Sequence, residues 1–210
     1  MFVVLEGADG VGKTTQLALL AAHKEYKTAR ELGSFESYLP KGTDLKCRDL
    51  IDRLYGKVSQ ATIAGLYRAN RGVVQDLYVK PLLVQGHTVV MDRWNLSSYI
   101  YCKAKQTDLL LAIGLLVDPT CLLPDLTIIL NRDSIDLSTR PAGNGLFEDL
   151  GDDFTSMVRQ EYRQFRSYFW TDYHNDKDLK HKVVHLNTTA QAPIETCLDI
   201  VQLIETHRSS

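Results

Sequence analysis

Short apolar runs alternate along the chain with segments in which apolar residues recur every three or four positions. Four runs have the length and composition of buried β-strands: Phe2–Leu5, Thr88–Met91, Leu126–Leu130 and Lys182–Leu186. A further strand is predicted near Tyr26–Glu31, where charged residues weaken the pattern. Strands that alternate with helical segments throughout a chain are typical of a layered α/β fold with a mostly parallel central sheet flanked by helices.

The segments with helical periodicity predict which faces enter the core. Thr14 to about His23 is predicted to be a helix that buries Leu17, Leu20 and Ala21. Two later segments carry longer stripes that predict core faces. One stripe comprises Val158, Tyr162, Phe165 and Phe169, and the other comprises Ile194, Cys197, Leu198, Val201 and Ile204.

The segment Arg140–Asp153 lacks periodicity and contains Pro141 and three glycines, which predicts a short mobile loop. No repeat, linker or low-complexity tract interrupts the chain elsewhere. We therefore predict one domain over residues 1–210, with the loop at about 138–153.

Composition mainly excludes classes of function. The net charge of −2 lacks the basic excess of a general nucleic-acid binder. No apolar run approaches the roughly 20 residues that a membrane-spanning helix needs. The four cysteines are scattered and form no C-x-x-C pair, so neither a zinc site nor a disulfide framework is favoured. We expect a cytoplasmic protein whose partners include neither nucleic acid nor a membrane.

The segment Gly7–Thr14 fits the phosphate-binding pattern G-x-x-x-x-G-K-[ST] and lies between a predicted strand and a predicted helix. Its backbone N–H groups and the helix N-terminus suit the phosphates of ATP, Lys13 suits the β- and γ-phosphates, and the Thr14 hydroxyl suits Mg²⁺. This P-loop predicts a three-layer P-loop NTPase fold. The residues expected to bind the triphosphate are Gly7, Ala8, Asp9, Gly10, Val11, Gly12, Lys13, Thr14 and Thr15.

A second chemical motif, Asp92-Arg93, ends the strand that begins at Thr88. Ligands of parallel α/β sheets bind beyond the carboxyl ends of the strands, so a carboxylate there can hold Mg²⁺ and an arginine can bind a phosphate in a bidentate manner. A GTPase switch is disfavoured, because no D-x-x-G follows the P-loop and no N-K-x-D follows a later strand.

Several motifs together resemble the thymidylate kinase family, in order over roughly residues 2–165. The segment from Glu6 to Gln16 resembles the family's E-G-x-D-G-x-G-K-[ST]-T-Q, and that from Asp92 to Tyr101 resembles its D-R-Y-x-x-S-x-x-A-[YF]. Leu66–Arg71 is similar to L-F-x-A-[DN]-R, and Pro124–Ile128 to P-D-L-T. The resemblance implies transfer of the ATP γ-phosphoryl group to dTMP, and a homodimer.

The resemblance also implies roles for residues on the acceptor side. Tyr67 would stack on the acceptor base, with Asn70 in the same motif, and Arg71 would bind a pyrimidine carbonyl or the acceptor phosphate. Arg93 would bind that phosphate, Tyr101 would exclude a ribose 2′-hydroxyl, and Asp9 would lie near the acceptor sugar or the transferring phosphate. The residues with expected catalytic roles are Lys13, Asp92, Arg93, Arg140 and Asp9, and the expected metal ligands are Thr14 and Asp92.

The chain departs from the family pattern at points that leave alternatives open. Arg48 is expected to bind the acceptor phosphate, with Arg30 as a competing candidate. Arg140 is the one basic residue of the predicted loop, and Arg132 is a second candidate for a catalytic arginine. Cys102 and Tyr67 leave open a broader or different choice of deoxynucleotide. The sparse loop also leaves open a protein that binds nucleotides without catalysis.

Overall fold

The fold is a five-stranded sheet covered by helices, seen in a computed structural model that describes residues 1–23, 25–30, 47–105, 108–133, 151–166 and 181–209. All five strands are parallel, in the order β2-β3-β1-β4-β5. Their bounds are β1 Phe2–Glu6, β2 Tyr26–Arg30, β3 Thr88–Asp92, β4 Leu126–Asn131 and β5 Lys182–Asn187. The predicted strands and the α/β class are confirmed.

Helices connect the strands, as parallel neighbours require. Within the described residues they are α1 Lys13–Ala21, α2 Cys47–Leu54, α3 Gln60–Val74, a π-helical segment Gln75–Val79, α4 Lys80–Val84, α5 Asn95–Ala104, α6 Leu109–Leu116, α7 Gly151–Gln164 and α8 Pro193–Arg208. Among these helices, none is both long and apolar enough to cross a bilayer.

Two buried clusters cover the two faces of the sheet, because side chains alternate along each strand. Val3 and Leu5 of β1 belong to the larger cluster, which includes residues of α1, α5, α7 and α8. Phe2 and Val4 belong to the smaller cluster, which also contains Val74 at the end of α3 and Val89 and Met91 of β3. The described residues thus form the three layers that the sequence predicts.

The helix stripes are confirmed in part. In α7, Val158 and Tyr162 are buried, and Phe165 is buried just beyond the helix end, whereas Phe169 lies outside the described residues. In α1, Leu17 and Leu20 are buried, but Ala21 at the helix end is exposed.

The stripe predicted for α8 is wrong at two positions. Ile194 and Leu198 are 55% and 59% exposed, although Cys197 and Ile204 are buried. The buried face instead follows Thr196, Cys197, Ile200 and Ile204. The helix has apolar residues on two sides, and only packing against α1 and β4 decides which side enters the core.

The predicted loop overlaps α7. Residues 134–150 lie outside the described part of the chain, whereas Gly151, Asp152 and Asp153 form the first turn of α7. A polar first turn carries no apolar periodicity, which is why the sequence pattern assigned these three residues to the loop.

Candidate active site

The P-loop follows β1, the central strand, and its glycines make the turn possible. Gly7, Gly10 and Gly12 have φ angles of 137°, 86° and 98°, which only glycine adopts without strain. A Cβ on Gly7 would also lie 2.5 Å from the carbonyl oxygen of Leu130 in β4. Gly12 precedes α1, so the backbone N–H groups of the first helical turn face the loop.

Lys13 is buried beneath this loop. Its Nζ donates to the carbonyl oxygens of Gly7 and Ala8, each at 2.8 Å. Burial, together with the charge of Arg93, lowers the pKa of Lys13 to about 8. Three carboxylates oppose this shift in the pKa, those of Asp92, Asp9 and Glu6. A phosphate at the loop would add negative charge and favour the protonated amine.

Arg93 follows β3 in a strained backbone conformation. Its φ angle is 70°, the one positive φ among the described non-glycine residues. Its backbone N–H donates to the carbonyl oxygen of Leu5 at 3.0 Å, which extends the pairing of β3 with β1. Such strain is concentrated at functional sites, where the surrounding structure maintains it.

The side chains of Asp9, Arg93 and Tyr101 form one cluster beside the P-loop. Arg93 forms an ion pair with Asp9, and the Tyr101 hydroxyl donates to the other oxygen of Asp9 at 2.8 Å. The Arg93 guanidinium also lies over the Tyr101 ring, 5.2 Å from its centroid. Burial raises the pKa of Tyr101, so its hydroxyl stays a hydrogen-bond donor at neutral pH.

The predicted base-binding residues lie on α3, which contacts α5. Arg71 is buried, and its guanidinium donates to Ser98 Oγ at 2.8 Å. Asn70 is buried and Tyr67 is half-buried. Ser98 is in the first turn of α5, five residues after Arg93, so α3 adjoins the Asp9–Arg93–Tyr101 cluster.

The predicted metal ligands lie at the ends of neighbouring elements. Asp92 is the last residue of β3 and pairs in register with Leu5, and Thr14 is exposed in the first turn of α1. Within the described residues, no group of three or more His, Cys, Asp or Glu side chains is arranged to hold a metal ion. A hydroxyl and one carboxylate fit Mg²⁺ that is bound mainly by phosphate oxygens and water.

Comparison with known proteins shows the family to which a chain with this site belongs. The family model for thymidylate kinase matches residues 5–184. A thymidylate kinase of Cutibacterium acnes is 32% identical over 176 residues, which are 77% of this chain and 80% of that protein. The chain belongs to the thymidylate kinase family. A thymidylate kinase of Desulforudis audaxviator is also 32% identical, over 80% of this chain and 78% of the relative.

Solved structures of thymidylate kinases have the same fold. The Candida albicans thymidylate kinase superposes with a TM-score of 0.64 at 20% identity, over 99% of this chain and 92% of that one. The Ehrlichia chaffeensis thymidylate kinase superposes with a TM-score of 0.63 at 23% identity, over 98% of both chains. The predicted P-loop NTPase fold and the predicted family are confirmed.

The structure does not describe the side chains of two arginines to which the sequence of this thymidylate kinase family member assigns site roles. Arg140 is outside the described residues, and Arg48 lies in α2 with its side chain outside them. The second candidate, Arg132, is exposed at the end of β4, where its carbonyl oxygen accepts from Arg163.

A small cavity between the P-loop and α7 is lined by Arg159, a residue to which the sequence pattern assigns no role. Its lining includes Ala8, Val11 and Arg159. Arg159 is half-buried, and its Nε has no hydrogen-bond partner among the described residues. Arg159 lies off the apolar stripe predicted for its helix, and periodicity carries no information about what the polar face contacts.

Glu6, Ser97 and Tyr162 were also missed. Glu6 ends β1 and is fully buried, where its carboxylate accepts hydrogen bonds from the Ser97 and Tyr162 hydroxyls. The available signal was an acidic residue at the end of a strand predicted to be buried on both faces, since a buried carboxylate needs specific partners. The apolar stripe correctly predicts a core position for Tyr162, but it carries no information about the partners of the hydroxyl.

Proposed function

We propose that the Asp9–Arg93–Tyr101 cluster receives the acceptor phosphate while the P-loop holds ATP. The chain is an ATP-dependent dTMP kinase that yields dTDP, the activity that defines the family to which it belongs. The observation that carries the proposal is the strained Arg93, which extends from β3 toward the P-loop and contacts both Asp9 and the Gly7 carbonyl oxygen. An acceptor phosphate bound there would lie next to the γ-phosphate.

On the donor side, the P-loop residues Gly7 to Thr15 bind the phosphates of ATP. The N–H groups at the start of α1 donate to phosphate oxygens, and Lys13 shifts its hydrogen bonds from the loop carbonyls to the β- and γ-phosphates. Thr14 and Asp92 would hold Mg²⁺, which would offset negative charge on the phosphates. Asp92 also stabilises the protonated form of Lys13.

On the acceptor side, the residues act mainly by positioning, which can supply much of the rate enhancement in phosphoryl transfer. Arg93 has further N–H groups with which to bind the dTMP phosphate. Tyr101, whose hydroxyl is fixed by Asp9, occupies the space that a ribose 2′-hydroxyl would need. Tyr67, Asn70 and Arg71 contact the base, and Arg48 contacts the acceptor phosphate.

The transferring phosphoryl group needs positive charge from the α7 side of the P-loop. Arg140 would provide it from the segment before α7. Arg159 is a second source, because it lines the cavity beside Ala8 and Val11 and its Nε–H has no partner in the part of the chain that the structure describes. Arginines in this role contribute rate factors of about 10³ or more in related phosphoryl transfers.

The test is a coupled assay of ADP release with ATP, Mg²⁺ and one acceptor at a time: dTMP, dUMP, dCMP, dGMP, dAMP or UMP. We expect dTMP to give the highest kcat/KM and UMP to be inert. Comparable rates with several deoxynucleotides would instead favour the broader acceptor choice that Cys102 leaves open, since this half-buried side chain follows Tyr101 directly. ATP binding without acceptor-dependent ADP release would contradict catalysis and favour a nucleotide-binding protein.

We also propose that the protein is a homodimer. The family resemblance implies it, and α6 exposes Leu109 and Leu110 at 55% and 78% beside α3, which is the base-binding helix. A second copy would cover these leucines. A cytoplasmic location and the lack of nucleic-acid and membrane partners stay predictions from composition.

A further inference from the structure

Glu6 carries a buried charge that none of the roles above explains. It is the last residue of β1, directly before the P-loop, and its side chain is fully buried. A buried carboxylate is costly unless it is hydrogen-bonded. Glu6 accepts four hydrogen bonds, two from backbone N–H groups and two from hydroxyls.

One carboxylate oxygen of Glu6 caps the helix that follows Arg93. Glu6 Oε1 accepts from the backbone N–H of Trp94 at 2.8 Å and from that of Ser97 at 3.2 Å. Trp94 is the N-cap residue of α5 and its side chain makes no capping hydrogen bond. A polar N-cap side chain normally accepts a hydrogen bond from the N–H at the position of Ser97. Glu6, at the end of β1, accepts this hydrogen bond instead and so caps α5.

The other oxygen connects Arg93 and α7. Glu6 Oε2 accepts from Ser97 Oγ at 2.6 Å and from the Tyr162 hydroxyl at 2.8 Å. Ser97 Oγ in turn accepts from the Arg93 guanidinium at 3.2 Å. Arg93 is therefore held by Asp9 on one side and, through Ser97, by Glu6 on the other.

The hydrogen-bond donors around Glu6 suit an ionised carboxylate. Two backbone N–H groups, which can only donate, face Oε1, and two hydroxyls that can donate lie at Oε2, so an ionised carboxylate accepts all four hydrogen bonds. Burial raises the pKa of Glu6, while the hydrogen bond from Ser97 and the charge of Arg93 oppose the rise. The N-terminal end of α5 also favours a negative charge at this position.

We propose that Glu6 is a positioning residue: a buried anion that caps α5 and, through Ser97, orients Arg93 for the acceptor phosphate, with Tyr162 anchoring α7 to the same carboxylate. This inference rests on the proposed function, because it takes Arg93 to bind dTMP. Loss of the negative charge would leave the hydrophobic core intact but release one side of the Arg93 guanidinium.

The test compares Glu6→Gln, Ser97→Ala and Tyr162→Phe with the control Tyr78→Phe. Tyr78 is buried like Tyr162, and its hydroxyl donates to a carbonyl, that of Thr28, at 3.1 Å, away from the site. For each variant we would measure thermal unfolding, kcat, the KM for dTMP, and the Kd for ATP and dTMP by calorimetry. Ser97→Ala keeps the backbone cap that Glu6 forms on α5, and it removes the hydroxyl that links Glu6 to Arg93 and also contacts the Tyr162 hydroxyl.

We expect Glu6→Gln and Ser97→Ala to raise the KM and Kd for dTMP by about tenfold or more, with the Kd for ATP unchanged, as misplacement of a binding group predicts. Tyr162→Phe should raise the KM for dTMP less, and Tyr78→Phe should lower only the melting temperature. The positioning role would be overturned if the KM and Kd for dTMP of all three variants matched those of Tyr78→Phe. Wild-type protein that neither binds nor phosphorylates dTMP would overturn the proposed function, and this inference with it.

Discussion

At the scale of single residues, the candidate site consists of groups held in unusual states. Arg93 adopts a left-handed backbone conformation, and Lys13 is a buried amine with a lowered pKa. Both states cost free energy in folding, so each is maintained by its neighbours. Binding of phosphate would offset part of the cost at Lys13, because it gives the buried amine an anionic partner.

The lowered pKa of Lys13 predicts that ATP binding depends on pH. ATP needs protonated Lys13, and a bound phosphate raises the pKa of the amine above its value of about 8 in the free protein. The Kd for ATP should therefore be constant below about pH 7.5 and rise about tenfold per pH unit above pH 8, until the pKa of the complex is reached.

Calorimetry at pH 8, in two buffers of different ionisation enthalpy, should show uptake of about half a proton on ATP binding. Lys13→Met is the matched control, and it should bind ATP weakly and without this uptake. A Kd for wild-type protein that stays constant from pH 7 to pH 9.5 would contradict the assigned contact between Lys13 and the phosphates.

The backbone strain at Arg93 can be separated from the role of its side chain by two substitutions. Arg93→Ala and Arg93→Gly should both lose dTMP binding and keep ATP binding. Arg93→Gly should be more stable than Arg93→Ala by about 1 kcal/mol, because glycine adopts a φ angle of 70° without penalty. Calorimetry and thermal unfolding measure the two effects separately. An equal loss of ATP and dTMP affinity would refute the acceptor role.

At the scale of elements, the site depends on three strand ends and the helices that follow them. β1 ends at Glu6 and leads into the P-loop, β3 ends at Asp92 and leads through Arg93 into α5, and β4 packs its Leu130 carbonyl against Gly7. α7 covers this junction, since Tyr162 reaches Glu6 and Arg159 lines the cavity beside the P-loop. Movement of α7 would therefore affect the donor side and Glu6 together.

The position of α7 predicts a catalytic contribution from Arg159. Arg159→Gln should lower kcat by about 10²–10³, since it removes positive charge near the transferring phosphoryl group, with little change in the KM for dTMP. Arg163→Gln is the matched control, because Arg163 lines the same cavity but is paired with Asp133 at 3.0 Å. A similar kcat for the two variants would contradict this prediction, and it would favour Arg140 as the arginine that stabilises the transferring phosphoryl group.

At the scale of the whole molecule, the parallel sheet places the carboxyl ends of β1, β3 and β4 side by side, and the donor and acceptor sites meet there. Among the described residues, the exposed large apolar side chains include Leu109 and Leu110 of α6 and Ile194 and Leu198 of α8, besides Leu50, Leu77 and Val84. Of these two helices, α6 packs against α3, whereas α8 packs against α1 and β4. The proposed dimer therefore uses α6 and not α8.

The choice between these two surfaces is testable by substitution. Leu110→Lys should shift the mass in solution from dimer to monomer, because a buried unpaired lysine disfavours association. Leu198→Lys, at a leucine that is 59% exposed on α8, should leave the mass unchanged. Analytical ultracentrifugation of both variants would decide. A wild-type protein that sediments as a monomer, or a monomer produced only by Leu198→Lys, would contradict the assignment.

The sequence by itself determined the class of fold, the P-loop and the family. These depend on local patterns: apolar runs of strand length, glycines at positions of positive φ, and motifs such as Asp92-Arg93 whose residues are adjacent in the chain. Such patterns need no knowledge of distant contacts.

The tertiary structure alone decided which side of α8 is buried, that β5 lies at the edge of the sheet, and that Glu6, Ser97 and Tyr162 form one network. Glu6 and Tyr162 are 156 positions apart in the chain. A hydroxyl on an apolar stripe and a carboxylate at the end of a strand have no predictable partners until the packing of the layers brings them together. The physical reason is that periodicity identifies which face of an element is buried, whereas hydrogen-bond partners depend on what the neighbouring element presents to that face.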